Sequence, residues 1–213
     1  DINMPKIASM ARENNSDLLI VDRSVHGKYE NYRTPEQEVP DKPLYYPWET
    51  CMTMGDSWSY VPNDNYKSTN KLIHLLVDIV SKGGNLLLNV APDANGELPA
   101  PAIERMKEIG SWLDVNGEAI YGTRPVSPYK DNKLCFTQSK NGEIYGIYLL
   151  DEGINLPEVI EFNFPQELKT GSIKIKGTNI KAKLIKQDKG YKIIIPKKLQ
   201  QNLPSQHAIV FCL

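Results

Sequence analysis

Three carboxylates, Glu36, Glu38 and Glu49, stand in or beside a stretch crowded with rings and arginines. It runs through Asn31-Tyr-Arg-Thr-Pro-Glu36 and Trp48-Glu49-Thr50, with Gly55-Asp-Ser-Trp58 close behind. A carboxyl partly withdrawn from water by aromatic neighbours has a raised pKa and can act as a general acid near neutral pH. The same groups can instead cap turns or pair with Arg33 or Arg23, and their position in the chain does not separate the two uses. Arg23 follows Asp22 at the exit of the apolar run Leu18-Leu-Ile-Val21, where it can hold a hydroxyl or an anionic group, or simply pair with Asp22. Trp48 and Trp58 offer flat apolar faces that can pack on a ligand or fill a core. Of the histidines, His26 shares the loop with the carboxylates, whereas His74 on a helix and His207 at a strand start read as structural.

Such chemistry needs elements to hold it. Ile7, Met10 and Ala11 recur at helical spacing over residues 2–15, and the run 18–21 has the continuous apolar character of a strand buried on both faces. The 24 residues between Arg23 and Trp48 contain four prolines in their later part and show no helical or strand period. A loop that long inside a compact domain is usually functional. Residues 50–54 suggest a short strand and 55–67 a polar loop. Ser68 is a good N-cap for a helix whose broad apolar face, Leu72, Ile73, Leu75, Leu76, Ile79 and Val80, ends at Gly83. Residues 85–90 read as another buried strand, 92–96 as a turn, and 100–116 as a helix stopped by Gly117. This alternation predicts a parallel α/β arrangement, and in a barrel of parallel strands the loops after the strand ends collect catalytic groups.

After Thr123 the texture changes. Residues 134–138, 143–150, 159–164, 172–176, 181–186, 191–195 and 208–212 are short β-rich runs separated by glycine turns at 141–142, 177 and 189–190. They predict an antiparallel β-sandwich over 124–213, divided from an α/β part over 1–123 near Gly122-Thr-Arg-Pro-Val-Ser-Pro128, with Trp112 and Tyr129 expected at the contact. In Ser172-Ile-Lys-Ile-Lys176 and Lys181-Ala-Lys-Leu-Ile-Lys186, lysine alternates with apolar residues, as on a sheet with one wet and one buried face.

Composition narrows the classes. With 40% hydrophobic residues, 24% charged residues and a formal charge of -1 over 213 residues, the chain has ordinary globular character and no basic face for nucleic acid. Its longest apolar runs fall far short of the roughly 20 residues that span a bilayer, and Asp1-Ile-Asn-Met-Pro has none of the features of a signal peptide. Cys51, Cys135 and Cys212 lack metal-ligand spacing and are expected as buried free thiols.

Several motifs together carry a family resemblance. They are Asp22-Arg23, Tyr32-Arg-Thr-Pro-Glu36, Pro47-Trp-Glu-Thr-Cys-Met-Thr53, Gly55-Asp-Ser-Trp-Ser-Tyr60, the helix and strand from Leu72 through Lys82-Gly-Gly-Asn-Leu-Leu-Leu-Asn-Val90, and Val115-Asn-Gly-Glu-Ala-Ile-Tyr-Gly122. With these the chain resembles the α-L-fucosidases of glycoside hydrolase family 29. The resemblance implies the later part of a (β/α)8-like barrel followed by a β-sandwich domain, and retaining hydrolysis of terminal α-L-fucose by an aspartate nucleophile and a separate acid/base. Under it, Glu36 and Glu49 compete for the acid/base role, with Glu36 preferred for its place in the loop and Glu38 third. Arg23, Trp58 and Trp48 become substrate-binding candidates. The family's Trp-Asn-Asp nucleophile motif has no counterpart before Asp17, so the expected partners are a fucosylated glycan and the N-terminal part of the barrel, and the chain alone is expected to be inactive. No cofactor or metal is expected, and the resemblance implies a periplasmic or secreted setting. The competing reading is a non-catalytic carbohydrate-binding module that uses Trp48 and Trp58 as platforms.

Overall fold

The computed structural model describes residues 2–21, 23 and 27–213. Asp22 and His26, singled out above, are outside the described residues. Helix α1 (Met4–Asn14) is capped by Asn3, whose side chain accepts from the Lys6 N–H, and its proline sits in the first turn, where a missing N–H is tolerated. The apolar run 18–21 makes one parallel bridge, Val21 to Tyr32, beside a 2.7 Å bond from the Asn31 N–H to the Ile20 carbonyl. Leu18 and Leu19 are exposed, Leu19 to 68%, so this run is not a strand buried on both faces.

The long stretch before Trp48 is more ordered than its sequence suggests. Residues 32–36 run parallel to strand β1 (Trp48–Thr53): the Arg33 N–H donates to Pro47 O at 3.0 Å, the Glu49 N–H to Arg33 O at 2.9 Å, and the Gln37 N–H to Cys51 O at 2.9 Å. Pro35 has no N–H to offer, and the ladder survives as separate bridges, Arg33 to Trp48 and Glu36 to Cys51. That interruption is why no strand period was legible. Strand β1 pairs in parallel with β2 (Gly84–Asn89), residue for residue from Trp48–Gly84 to Thr53–Asn89. The result is a strip of parallel runs in chain order.

The two faces of the strip differ. Partners on parallel strands point the same way, so Arg33, Trp48, Thr50, Leu86 and Leu88 share one face, and Glu36, Glu49, Cys51, Asn85 and Leu87 the other. The first face lies under helices α2 (Thr69–Ser81) and α3 (Ala100–Asn116), with Met54, Leu72 and Ala102 buried against Leu88. The second is open, and Leu87 is 54% exposed. Strand β2 is therefore buried on one face, not on both as its apolar run suggested.

Helix α2 is the central element. Its Ser68 cap accepts from the Lys71 N–H, Leu72 faces the strip, and Ile73 and Val77 join Trp112, Ala119 and Ile120 against Cys135, Ile147 and Val210 of the second sheet. Packing on two sides explains the breadth of its apolar face, each fully buried aliphatic side chain contributing about 1.5–3 kcal/mol. The Trp112 indole donates to Ala208 O at 3.1 Å, and the Tyr129 hydroxyl to Asp41 O at 3.1 Å.

Strands β3 (Arg124–Asp131), β4 (Leu134–Gln138), β5 (Ile144–Leu149), β6 (Val159–Phe162), β7 (Gly171–Ile175), β8 (Lys181–Lys186), β9 (Tyr191–Ile194) and β10 (Ala208–Cys212) form one antiparallel sheet in the order β3-β4-β5-β10-β7-β8-β9-β6. Strand β10 meets β7 through two residue pairs only, Phe211–Ile175 and Cys212–Lys174. There the sheet turns, and its halves face each other over a core in which the Phe136 ring lies 5.5 Å from Phe162 and 4.9 Å from Phe164. The layers are those of a sandwich, but the hydrogen bonding is continuous. Strand β3 was missed because Pro125 and Pro128 interrupt its pattern; as an edge strand with a register shift between Pro125 and Lys130, it tolerates both. The short helix α4 (Lys197–Gln201) was also unforeseen. Among the described residues no strand pairs between the two sheets, and no helix is long and apolar enough to cross a membrane.

Candidate active site

The carboxyl ends of the parallel runs bring the sequence candidates together on the open face. Arg23, just past the Val21 bridge, donates from Nη1 to Glu36 Oε2 at 2.8 Å and from Nη2 to Cys51 Sγ at 3.5 Å. Hydrogen bonding to Glu36 first, and then to Cys51, raises the Arg23 pKa, so the guanidinium is a permanent cation here. The Arg23 and Glu36 side chains are 50% and 48% exposed. At that exposure solvent screens the pair and it adds little to stability. Its interest is therefore positional: two opposite charges held at a strand exit with room above them.

Register separates the two glutamates. Glu36 is level with Cys51, whereas Glu49 is level with Asn85 and lies two residues, or about 6.6 Å, lower along the strip. Glu36 thus lies at the carboxyl rim of the strip, and Glu49 in the layer below it. Glu38 is exposed, and its backbone carbonyl accepts from Thr50 Oγ1 at 2.7 Å.

The two tryptophans part company. Trp48 is 1% exposed, on the helix-covered face, with its indole N–H donating to Lys82 O at 3.3 Å. It has no free ring face, which corrects its reading as a substrate platform; the requirement it meets is packing against Gly84. Trp58 is 42% exposed in the loop after β1.

That loop is held by residues the sequence reading passed over. Asp64 accepts from the Asp56 and Ser57 N–H groups at 3.3 Å each, and a Cβ on Gly55 would stand 2.9 Å from Asp64 Cγ, so a side chain there would displace the Asp64 carboxylate from these bonds. Lys67 Nζ donates to Thr53 O at 2.6 Å, Gly55 O at 3.0 Å and Thr53 Oγ1 at 3.4 Å, and Gln37 Nε2 reaches the same hydroxyl at 3.1 Å. Burial pushes the Lys67 pKa down, with Asp56 and Asp64 opposing it. Through Thr53 this lysine ties the backbone after Glu36 to the loop that carries Trp58. A polar loop ending in Lys67 is the only sign of it in the sequence.

The remaining candidates are structural. His74 Nε2 lies 2.9 Å from His207 O, joining α2 to the start of β10. Cys51 and Cys135 are buried and Cys212 half-buried, all as free thiols. Among the described residues no group of three or more His, Cys, Asp or Glu could hold a metal ion.

Comparison with known proteins gives one consistent result. The family model described as Alpha-L-fucosidase matches residues 1–118. An alpha-L-fucosidase of Dictyostelium discoideum is 33% identical over 176 residues, 78% of this chain and 38% of that protein. The plasma alpha-L-fucosidase of Rattus norvegicus is 41% identical over 132 residues, 58% of this chain and 28% of that protein. Among solved structures, alpha-L-fucosidase isoenzyme 1 from Paenibacillus thiaminolyticus superposes with a TM-score of 0.82 at 26% identity, covering 98% of this chain and 52% of that one. The Thermotoga maritima alpha-fucosidase in complex with fucose gives 0.76 at 28% identity, covering 96% and 47%. The chain thus spans about half or less of the length of these relatives. With the family model matched over more than half of its 213 residues, the chain belongs to the alpha-L-fucosidase family.

Proposed function

We propose that this chain supplies the acid/base side of a retaining, exo-acting α-L-fucosidase that releases terminal α-L-fucose from glycans. The reading is carried by Glu36, held beside Arg23 on the open face at the carboxyl end of its parallel run, in a chain of this family. Retaining hydrolysis needs two carboxyl groups about 5–5.5 Å apart, one attacking the anomeric carbon and one protonating the leaving oxygen. In this reading Glu36 is the second: with Arg23 turned to the sugar hydroxyls on substrate binding, its half-exposed carboxyl gives a proton to the leaving oxygen and then takes one from water. Arg23 offers fixed donors to sugar hydroxyls, and Trp58 an apolar ring to the C6 methyl of a deoxy sugar. Glu49, one layer down beside Asn85, lines the floor of the site and is the alternative acid/base.

Residues 1–123 are then the closing part of a catalytic barrel and 124–213 its appended β-domain. The nucleophile comes from another strand of the same barrel, whose missing wall would cover the open face that exposes Leu87. The non-catalytic module loses support, because Trp48, one of its two platforms, is buried. The test is proton NMR of aryl α-L-fucoside hydrolysis by the complete enzyme that contains this chain. α-L-fucose should appear first and mutarotate afterwards; first release of the β anomer, or no release of fucose, would overturn the reading.

A further inference from the structure

A groove of about 620 Å³ opens on the helix-covered side of the strip, at the amino ends of β1 and β2. It is lined by Tyr45, Tyr46, Trp48, Gly84, Tyr121 and Arg124, among others. It is separated from Arg23 and Glu36 by the sheet itself and by the three residues from Trp48 to Cys51, about 10 Å of strand. The floor is rigid, since the Trp48 indole is bonded to Lys82 O and presses on Gly84. The walls are open. Tyr45 is fully exposed and Tyr121 68% exposed, and none of the Tyr45, Tyr46 and Tyr121 hydroxyls has a hydrogen-bond partner among the described residues. Arg33 stacks on the Tyr46 ring at 4.9 Å, fixing that ring from behind. Arg124 gives Nη1 to Thr123 O at 2.8 Å, its one side-chain hydrogen bond among the described residues.

We infer that this groove is a second, non-catalytic carbohydrate-binding site, taking a pyranose of the glycan between the exposed tyrosine rings and the Arg124 guanidinium. Flat rings match the C–H face of a sugar, while phenol hydroxyls and the N–H groups of the solvated Arg124 guanidinium match its hydroxyls. A concave site with a few convergent polar groups on a preformed floor is the usual form of a small-ligand site. Isolated exposed rings are common, but rings of this size grouped around one cavity, with their hydroxyls free, mark a surface that meets a ligand. Only the choice of a fucosylated glycan rests on the proposed function; the site itself does not use Glu36.

The experiment titrates the full chain, in the Arg23→Ala background, with 2′-fucosyllactose by isothermal calorimetry, so that the candidate catalytic rim does not contribute. Saturable binding is expected, weakened about three- to tenfold by Tyr45→Ala or Tyr121→Ala and preserved by Tyr45→Trp. Far-ultraviolet circular dichroism identical to the parent shows that these surface changes leave the fold intact. No binding, or binding unchanged by both alanine variants, overturns the proposal. So does a dimer in sedimentation that Tyr121→Ala dissolves, since the groove would then be a self-interface. Loss of hydrolysis in the complete enzyme on Arg23→Ala, with binding here unaffected, separates this site from the proposed active site.

Discussion

Adding one methyl group to Gly84 should destabilise the chain, and the structure says by how much and how to relieve it. A Cβ there would stand 2.5 Å from Cε2 and Cη2 of Trp48, where carbon atoms in contact need about 3.5 Å or more. Trp48 cannot retreat, because it is 1% exposed and its indole N–H is bonded to Lys82 O at 3.3 Å. Gly84 cannot retreat either, being paired in register with Trp48 at the start of β2. Overpacking a rigid site costs about 1–3 kcal/mol, and with both partners pinned the upper end applies. For a chain of this size about 3 kcal/mol corresponds to a melting point lower by about 6–12 °C. The obstructing atoms belong to the six-membered part of the indole, so Trp48→Phe removes them. In that background Gly84→Ala should cost less than about 1 kcal/mol, a coupling of about 2 kcal/mol in a double-mutant cycle measured by urea unfolding. Additive effects of the two changes would refute the claim that Trp48 is a packing residue fitted to Gly84.

Two further outcomes follow from the same network of contacts. Lys67→Met keeps the stem and removes three donated hydrogen bonds to Thr53 and Gly55, so it should lower stability by about 1–3 kcal/mol and raise KM for a fucoside by loosening the Trp58 loop; an unchanged KM in the complete enzyme would remove Lys67 from the site. Burial, the largest influence, holds the His207 pKa below 6.5, with His74 acting in the same direction and Glu108 and Glu152 opposing. Above pH 6.5 the imidazole is neutral folded and unfolded, and its contribution is fully present. As pH falls from 6.5 through the folded pKa the unfolded chain takes the proton first and stability is lost. His207→Gln should therefore flatten the stability profile in that window, and an unchanged slope in urea titrations from pH 7.5 to 5 would show that this histidine is not its source.

What the sequence made legible, and what it hid, follows from the kind of information each element carries. Helix α2 and strands β4, β8 and β10 were readable because their apolar periods and glycine or serine boundaries are local. The parallel segment 32–36 was hidden because Pro35 breaks its ladder and its partner, β1, lies beyond a long loop. Strand β3 was hidden by prolines that an edge position permits. Trp48 was misplaced because an aromatic beside a glutamate looks the same in sequence whether it faces a ligand or a glycine on the next strand. The open face was invisible for a different reason: runs such as Leu86-Leu-Leu88 have the composition of a strand buried on both sides, whereas among the described residues nothing covers the side that bears Leu87. Lys67 and Asp64, which position the Trp58 loop, are polar residues in a polar loop and carry no period at all.

The central claim is that Glu36, on the rim beside Arg23, is the acid/base, and chemical rescue tests it most directly. In the complete enzyme containing this chain, Glu36→Ala should retain much of its rate on an aryl fucoside with a good leaving group and lose it on a natural glycan, because only the poor leaving group needs a proton. Azide should restore turnover and yield α-L-fucosyl azide, formed by attack on the covalent intermediate from the face that Glu36 vacates. Glu49→Ala should show neither the leaving-group dependence nor the rescue. If Glu49→Ala is the variant rescued by azide and Glu36→Ala is not, the assignment built on strand register is wrong.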